Sequence, residues 1–285
     1  MRVRFGPAGN SASFQLQGYK SSLNMPSWLK KLGLDAYEYQ CVRGVHIGEE
    51  MARRLGELAA ENGIALSIHA PYYITLGTTD PVLREKTKKH FFDSLRAAHW
   101  MGAHTVVFHP GGGAKDRSEA KSRAMALLAE IVREAAEKGW AGIRIAPETA
   151  GKPAQLGNLE EVLEFCAVGP EVVPAIDFGH LHAVTQGGFN NPEAFEAVLD
   201  KVESILGKER LANLHIHFSP VEFTAGGEKR HWTTLEEFGP GFDPLAELLA
   251  KRKLGATVIC ESAGRQAEDA LIYKQMYGSF LKDDQ

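Results

Sequence analysis

The chain has 285 residues, of which 44% are hydrophobic and 24% are charged, which is typical of a soluble globular protein. It contains no run of about 18 apolar residues, so no membrane span is expected, and its N-terminal stretch MRVRFGPAGNSASF lacks the apolar segment of a secretory signal. The net charge of −4 gives no support to broad, nonspecific nucleic-acid binding, although bound metal ions would add positive charge that this count omits.

Short apolar runs alternate with amphipathic segments along the whole chain. These runs predict eight strands, at residues 2–5, 35–39, 65–69, 104–109, 142–147, 172–177, 211–216 and 256–261. Strands that alternate with helices pair in parallel through right-handed crossovers. Eight such units over this length predict an α/β fold, a single (β/α)₈ TIM barrel that forms one domain over residues 1–285. A doubly wound open sheet is the alternative.

The cysteines Cys41, Cys166 and Cys260 are far apart and form no CxxC pair. Cys260 lies inside the apolar run ATVIC, which is typical of a core position. We therefore predict buried thiols in a reducing, cytoplasmic setting rather than a disulfide framework.

Potential metal ligands follow six consecutive predicted strands, and in a barrel the active site lies at the carboxyl ends of the strands. The residues at these ends are His69, His109, Glu148, Asp177, then His215 and His217 together, and Glu261. One histidine at a strand end is more often a hydrogen-bonded core residue, and Asp177 alone could cap a helical turn. Six successive ends of this kind indicate one shared site.

Neutral imidazole and carboxylate groups are ligands for Zn²⁺, Mn²⁺ or Fe²⁺. Because no cysteine takes part, a structural zinc site is not expected. Six to eight ligands exceed one tetrahedral shell, so the sequence predicts two or more ions. Two ions about 3.5–4 Å apart can clamp both the attacking and the leaving oxygen of a phosphate ester.

Five motifs between about residues 60 and 262 resemble endonuclease IV, the metal-dependent apurinic/apyrimidinic endonuclease of the xylose-isomerase-like barrel superfamily. SIHAPYYITLG resembles the His-x-x-Tyr segment of that family, and FHPGGG resembles its HPG motif. PETAGKPAQLGNLEE resembles the segment of its bridging glutamate, IDFGH its Asp-x-x-His pattern, and CES its final glutamate.

The resemblance implies a role for each matching residue. His69 and His109 would bind a first metal ion, and Glu148 would bridge it to a second ion completed by Asp177, His215 and Glu261. His180 and His231 would belong to a third site, and Tyr72 would contact the substrate. The implied cofactor is Zn²⁺, as two or three ions, with Mn²⁺ or Fe²⁺ as alternatives. Glu148 and Glu261 would be the catalytic carboxylates in hydrolysis of the phosphodiester 5′ to an abasic site in double-stranded DNA. We expect a monomer.

Two departures from the family pattern concern the third site and the DNA contacts. Where the family has an Asp two residues before His231, this chain has Lys229, which cannot bind a metal ion as an ammonium group. The adjacent Glu228 could replace it, as could His182 or His217; otherwise Glu228 and Lys229 belong to a solvated charged loop.

At the second strand, the Asn-, Pro-, Arg- and Trp-rich loop with which the family probes DNA is replaced by EYQCVRGVHI. Arg43 and Gln40 could still reach a duplex and contact the substrate. The chief rival is a sugar isomerase or epimerase on the same barrel, with a small sugar between Glu148 and Glu261 and a single ion. A noncatalytic metal-binding barrel is the third reading.

Overall fold

Eight parallel strands close into a barrel in the computed structural model, which describes residues 2–112 and 116–281. The strands of the described ranges are β1 Arg4–Pro7, β2 Ala36–Gln40, β3 Ala65–His69, β4 Thr105–Phe108, β5 Arg144–Pro147, β6 Ala175–Asp177, β7 His215–Phe218, β8 Val221–Thr224, β9 Gly227–His231 and β10 Thr257–Cys260. Gly113, which ends the predicted HPGGG motif, lies outside the described residues.

The helices that alternate with these strands form the outer layer. They are α1 Ala12–Leu16, α2 Met25–Leu32, α3 Glu49–Asn62, α4 Pro81–Met101, α5 Arg117–Glu137, α6 Leu159–Phe165, α7 Phe178–Val184, α8 Pro192–Leu206, α9 Lys208–Leu211, α10 Asp243–Lys251 and α11 Gln266–Phe280. Side-chain caps start several of them, as Asp80 does for α4, Asn158 for α6 and Asn191 for α8. No helix in the described ranges is long and apolar enough to cross a membrane.

The barrel consists of two parallel four-stranded sheets, β2-β3-β4-β5 and β6-β7-β10-β1. Isolated bridges close both seams. Ala8 pairs with Glu38 at the first seam, and Ile145 with Val172 and Glu148 with Ala175 at the second. At the first seam a Cβ on Gly6 would lie 1.8 Å from the carbonyl oxygen of Ala36, so only glycine permits this approach. The predicted (β/α)₈ class is confirmed, and the open sheet is not observed.

The seventh barrel strand starts later than predicted. We expected it at residues 211–216, but Leu211 ends α9 and packs its side chain into the core from that helix. The strand β7 runs instead over His215–Phe218. Both His215 and His217 lie on this strand.

An unpredicted hairpin, β8–β9, follows β7 and lies over the mouth of the barrel. Its strands pair antiparallel, and Gly227 has φ +95 at the start of β9. The backbone N–H of Glu228 donates to the carbonyl of Gly151 at 2.7 Å, which fixes the hairpin to the loop after β5. The hairpin thereby carries Glu228 and His231 to the strand ends.

The predicted burial of the three cysteines is confirmed, since Cys41, Cys166 and Cys260 are all buried free thiols. Burial raises the pKa of each thiol to about 12. These thiols therefore belong to the packed layers and are not poised as nucleophiles.

Candidate metal centre

The carboxyl ends of the barrel strands bring most of the predicted ligands together. Within the described ranges, four groups have ligand atoms that all lie within 4.8 Å of one another. They are His69, Glu148 and His217; Glu148, Asp177, His217 and Glu261; His180, Glu228 and His231; and Glu38, His215 and His217. Two of these groups share Glu148, so it is the central carboxylate.

Glu148 is fully buried and lies between imidazoles on both sides. Its Oε2 atom is 3.0 Å from Nε2 of His69 and 3.5 Å from Nδ1 of His109. Its Oε1 atom is 3.1 Å from Nδ1 of His217. One carboxylate oxygen thus faces each of two neighbouring ligand groups, which is the geometry that a bridging carboxylate requires.

Asp177 is placed to serve both of the roles that the sequence had left as alternatives. Its Oδ1 atom caps α7 by accepting from the backbone N–H of His180 at 2.6 Å. Its Oδ2 atom is buried and has no hydrogen-bond partner in the described part of the chain, and the same holds for Nδ1 of His109. Buried polar atoms are rarely left unpaired. These two atoms are therefore fitted to accept a cation.

Three of the imidazoles have Nδ1 hydrogen-bonded to a backbone carbonyl or to a hydroxyl. The Nδ1 atoms of these residues are bonded to the carbonyl of Ala70 for His69 (2.9 Å), to the carbonyl of Thr149 for His180 (2.8 Å) and to the hydroxyl of Ser219 for His231 (2.7 Å). A carbonyl partner requires Nδ1–H, so Nε2 of His69 and His180 is left to face the carboxylates. This arrangement is the one that metal-binding histidines use.

Glu228 lies between the two histidines where the family pattern would place the Asp that Lys229 replaces in this chain. Its carboxylate lies 3.4 Å from Nε2 of His180 and 3.3 Å from Nε2 of His231. Lys229 pairs instead with Glu222 at 2.5 Å. A Cβ on Gly151 would lie 2.7 Å from the ring of His180, so this position must be glycine for the hairpin to close.

The two histidines of β7 lie at different depths. Both side chains face the barrel interior because they are two residues apart on one strand. Nε2 of His215 is 2.8 Å from Glu38, and His215 does not belong to the group of Asp177 and Glu261. His217 occupies that place. The resemblance implied His215 at this place, but His217 is the histidine in register with Asp177, whereas His215 is in register with Ala175, two residues deeper in the barrel.

Glu38, on β2, is a site residue that the sequence reading missed. It is fully buried and accepts hydrogen bonds from Ser67, His215 and His217. An acidic residue between Tyr37 and Tyr39 of the predicted strand was the available signal. Its partners lie 177 and 179 residues further along the chain, so the sequence does not reveal them.

The ionisable groups of the centre strongly shift one another's pKa values. Burial opposes the charged form of Glu148, but the His109 and His217 imidazoles hold its pKa well below the usual range. Burial likewise opposes charge on His69 and His180, yet the Glu148 and Asp177 carboxylates raise the pKa of His69 to about 9 and that of His180 well above its usual value. The site therefore stabilises added positive charge.

His182, the least certain member of the AIDFGHLHA cluster, has a structural role. Its ring is buried, packs edge-on against Phe223 at 5.4 Å and accepts from the backbone N–H of Phe189 at 3.3 Å. It belongs to none of the ligand groups. Burial lowers its pKa, which agrees with a neutral imidazole.

A cavity of about 280 Å³ opens over the ligand groups. Its lining residues include Tyr72, His109, Lys152, Glu228 and Glu261. The ring of Tyr72 is 61% exposed and stacks on His109 with 5.7 Å between centroids and 12° between planes. Arg43 is exposed in the turn after β2 and is absent from the described lining of this cavity.

A protein-family model described as "Xylose isomerase-like TIM barrel" matches residues 26–282. The protein MJ0133 of Methanocaldococcus jannaschii is 32% identical over 246 residues, which cover 86% of this chain and 88% of that protein. "Probable endonuclease 4" of Bacillus subtilis is 28% identical over 201 residues, covering 68% of this chain and 65% of the relative. The match thus spans slightly less than two thirds of that relative's length.

Two solved structures share the fold over essentially the full length. A D-tagatose 3-epimerase-like protein has a TM-score of 0.72 at 21% identity and covers 100% of this chain and 99% of its own. Endonuclease IV from Thermus thermophilus has a TM-score of 0.67 at 20% identity, with coverage of 99% and 100%. The resemblance to endonuclease IV that the motifs predicted is confirmed by these relatives, while the likeness to the solved structures concerns the fold alone.

Proposed function

The chain belongs to the xylose isomerase-like TIM barrel family, and from this premise we propose that it is a metal-dependent phosphodiesterase that hydrolyses DNA at abasic sites. The observation that carries the proposal is the linkage of three ligand groups at one cavity. Glu148 belongs to two of them, and the group of His180, Glu228 and His231 lies beside it. An isomerase that uses one ion would need only one such group.

The residues present fit a cluster of ions, with Zn²⁺ as the proposed metal and Mn²⁺ or Fe²⁺ as alternatives. His69 and Glu148 would hold the first ion together with His109, which lies outside the four groups but 3.5 Å from Glu148. Glu148, Asp177, His217 and Glu261 would hold the second ion, and His180, Glu228 and His231 the third. The unpaired buried atoms of His109 and Asp177 support this fit. When bound, such ions lower the pKa of water and neutralise the charge that develops on a phosphate ester.

The two catalytic carboxylates have different surroundings. Glu148 is fully buried and keeps the ligand groups in register with one another. Glu261 lines the cavity, and its Oε1 atom lies 3.5 Å from Nδ1 of His217. Glu261 is therefore the carboxylate that reaches both the ligand group and a bound substrate, where it can hold or release a proton.

The substrate contacts come from the rim of the cavity. Tyr72 presents an exposed ring face on which a base or sugar can stack. Lys152 contributes an ammonium group to a lining that otherwise consists largely of carboxylates, imidazoles and neutral groups, and it suits a phosphate of the DNA backbone. Arg43 is proposed to contact the duplex outside the cavity.

One observation favours a second candidate, a sugar isomerase or epimerase. The cavity of about 280 Å³ suits a small molecule, and the group of Glu148, Asp177, His217 and Glu261 would hold one ion by itself. In that case Glu148 and Glu261 would flank the sugar, and one of them would move a proton.

Metal content and substrate choice distinguish the two candidates. The purified protein is loaded with Zn²⁺ or Mn²⁺, its metal is counted, and it is incubated in parallel with a duplex carrying one abasic site and with ketohexoses. Two or three tightly bound ions and strand cleavage are expected. One exchangeable ion together with sugar interconversion would favour the epimerase and overturn the proposal.

A further inference from the structure

The carboxylate of Glu38 lies on the side of His217 opposite the cavity. Nε2 of His217 is 3.1 Å from Oε1 of Glu38. Nδ1 of the same ring is 3.1 Å from Glu148 and 3.5 Å from Glu261. Nε2 therefore faces Glu38, whereas Nδ1 faces Glu148 and Glu261, and of these three carboxylates only that of Glu261 lines the cavity.

A buried carboxylate must be paired to remain ionised. The imidazoles of His215 and His217 lie 2.8 Å and 3.1 Å from the carboxylate of Glu38. The hydroxyl of Ser67 donates at 2.9 Å and the amide of Gln40 at 3.2 Å, so both oxygens have donors. Glu38 is thus a fixed hydrogen-bond acceptor inside the barrel.

The backbone of Glu38 holds this acceptor in place. The residue forms the bridge to Ala8 that closes the β1–β2 seam, and its carbonyl accepts from the N–H of Gly9 at 2.9 Å. On the other side it is in register with Ser67 of β3. Because backbone and carboxylate are both anchored, the position of Glu38 does not depend on what occupies the cavity.

We propose that Glu38 is a positioning residue that fixes the tautomer of His217, so that Nε2 carries the proton and Nδ1 presents its lone pair to the metal centre. An N–H donated to Glu38 leaves Nδ1 as the free ligand atom, as in the carboxylate–histidine–metal arrangement of other metal sites. His215 is a second donor to the same carboxylate rather than a ligand. The inference rests on the metal-binding part of the proposed function and not on the DNA substrate.

The first test needs no substitution. Long-range ¹H–¹⁵N NMR spectra of the zinc-loaded protein with ¹⁵N-labelled histidine report which ring nitrogen of His217 is protonated. We expect a protonated Nε2 and a metal-shifted Nδ1. A proton on Nδ1, with Nε2 as the metal-shifted nitrogen, would overturn the inference.

The second test compares Glu38→Gln with Ser67→Ala, which removes another donor from the same carboxylate without touching His217. Zinc affinity is measured by chelator competition, and the fold is followed by circular dichroism. Glu38→Gln should weaken one zinc site by about 10–100-fold, the usual effect of losing such a partner, whereas Ser67→Ala should change it by less than about threefold. Unchanged affinity in folded Glu38→Gln would contradict the inference.

Neither test uses DNA cleavage, so the two proposals fail separately. If the NMR and zinc results are as expected but the abasic duplex stays intact, only the assigned substrate is wrong. If the duplex is cleaved while zinc binds His217 through Nε2, only the role of Glu38 is wrong.

Discussion

The backbone N–H of His180 donates to Oδ1 of Asp177 at 2.6 Å, which leaves Oδ2 of this buried carboxylate without a partner in the described part of the chain. One side chain thus starts the helix α7 and also offers an oxygen to the ligand group that contains Glu148. The local hydrogen bond fixes the direction of the free oxygen.

Two substitutions of Asp177 separate these roles. Asp177→Asn keeps an oxygen that can cap α7, so the metal-free protein should lose little stability, but zinc affinity should fall at least about tenfold because the anionic ligand is gone. Asp177→Ala should in addition cost about 1 kcal/mol of unfolding free energy through the lost cap. Chemical denaturation in the presence of a chelator measures the unfolding free energy of the metal-free protein. Competition with a chelator for zinc measures the zinc affinity. Wild-type zinc affinity in Asp177→Asn would exclude the ligand role.

Glu228 and Lys229 are adjacent residues of β9 whose side chains have different partners. Glu228 lies between His180 and His231, whereas Lys229 pairs with Glu222 away from the centre. Glu228→Gln should therefore reduce the number of tightly bound ions by one, and Lys229→Met should leave it unchanged. Elemental analysis after gel filtration gives the counts. Equal counts in the two variants would remove Glu228 from the third site.

Lys152 is the residue that we expect to recognise phosphate. It lines the cavity and forms no hydrogen bond or ion pair at its ammonium group within the described ranges. Lys152→Met should raise KM for an abasic duplex, and the inhibition constant for inorganic phosphate, by about 10–150-fold, since a hydrogen bond to a charged group contributes about 1.5–3 kcal/mol. Its metal content should be unchanged. Lys229→Met is the control, because it removes the same charge nearby; a comparable loss there would show a general charge effect instead.

Glu161 supports the loop after β5 and gives a pH-dependent prediction. Burial opposes its charged form, but Arg117 and the N–H groups of Gly157 and Asn158 lower its pKa. When a carboxyl has a lower pKa in the folded than in the unfolded state, it stabilises the fold at every pH above the unfolded-state pKa of about 4.3. This stabilisation is lost as the pH falls through the folded-state pKa.

Glu161→Gln should therefore cost about 1.5–3 kcal/mol at pH 7, the usual contribution of hydrogen bonds to a charged group, and the difference from wild type should shrink below about pH 4. Urea denaturation at several pH values measures this difference in unfolding free energy between Glu161→Gln and wild type. Glu164→Gln is the control on the same helix, because Glu164 is about half exposed and pairs with Lys121 on the surface; it should cost less than about 1 kcal/mol. A difference for Glu161→Gln that does not depend on pH would argue against an ionised carboxylate.

The sequence was sufficient to predict the barrel and to predict that most of the strand-end histidines and carboxylates lie together. Apolar runs alternating with amphipathic segments predict eight parallel strands, and the carboxyl ends of such strands converge on one face. For this reason His69, Glu148, Asp177 and Glu261 could be assigned to one site before any contact was known.

The remaining features depended on register and on contacts between distant parts of the chain. Leu211 is apolar in either a helix or a strand, so the start of β7 could not be read from it. The resemblance implied His215 where His217 lies, because the motif alone does not show that His217 is in register with Asp177. Glu38 contacts these histidines only after the barrel has closed. The hairpin did leave a local signal, since Gly226-Gly227 between two short runs favours a tight turn.

Cleavage of a duplex with one abasic site, by zinc-loaded protein, tests the central claim most directly. The account predicts hydrolysis on the 5′ side of the lesion, which leaves a 3′-hydroxyl on one fragment and a 5′ deoxyribose phosphate on the other. Glu148→Gln should lose this activity together with bound metal. An intact duplex after incubation with folded, fully metal-loaded wild-type protein would contradict the claim.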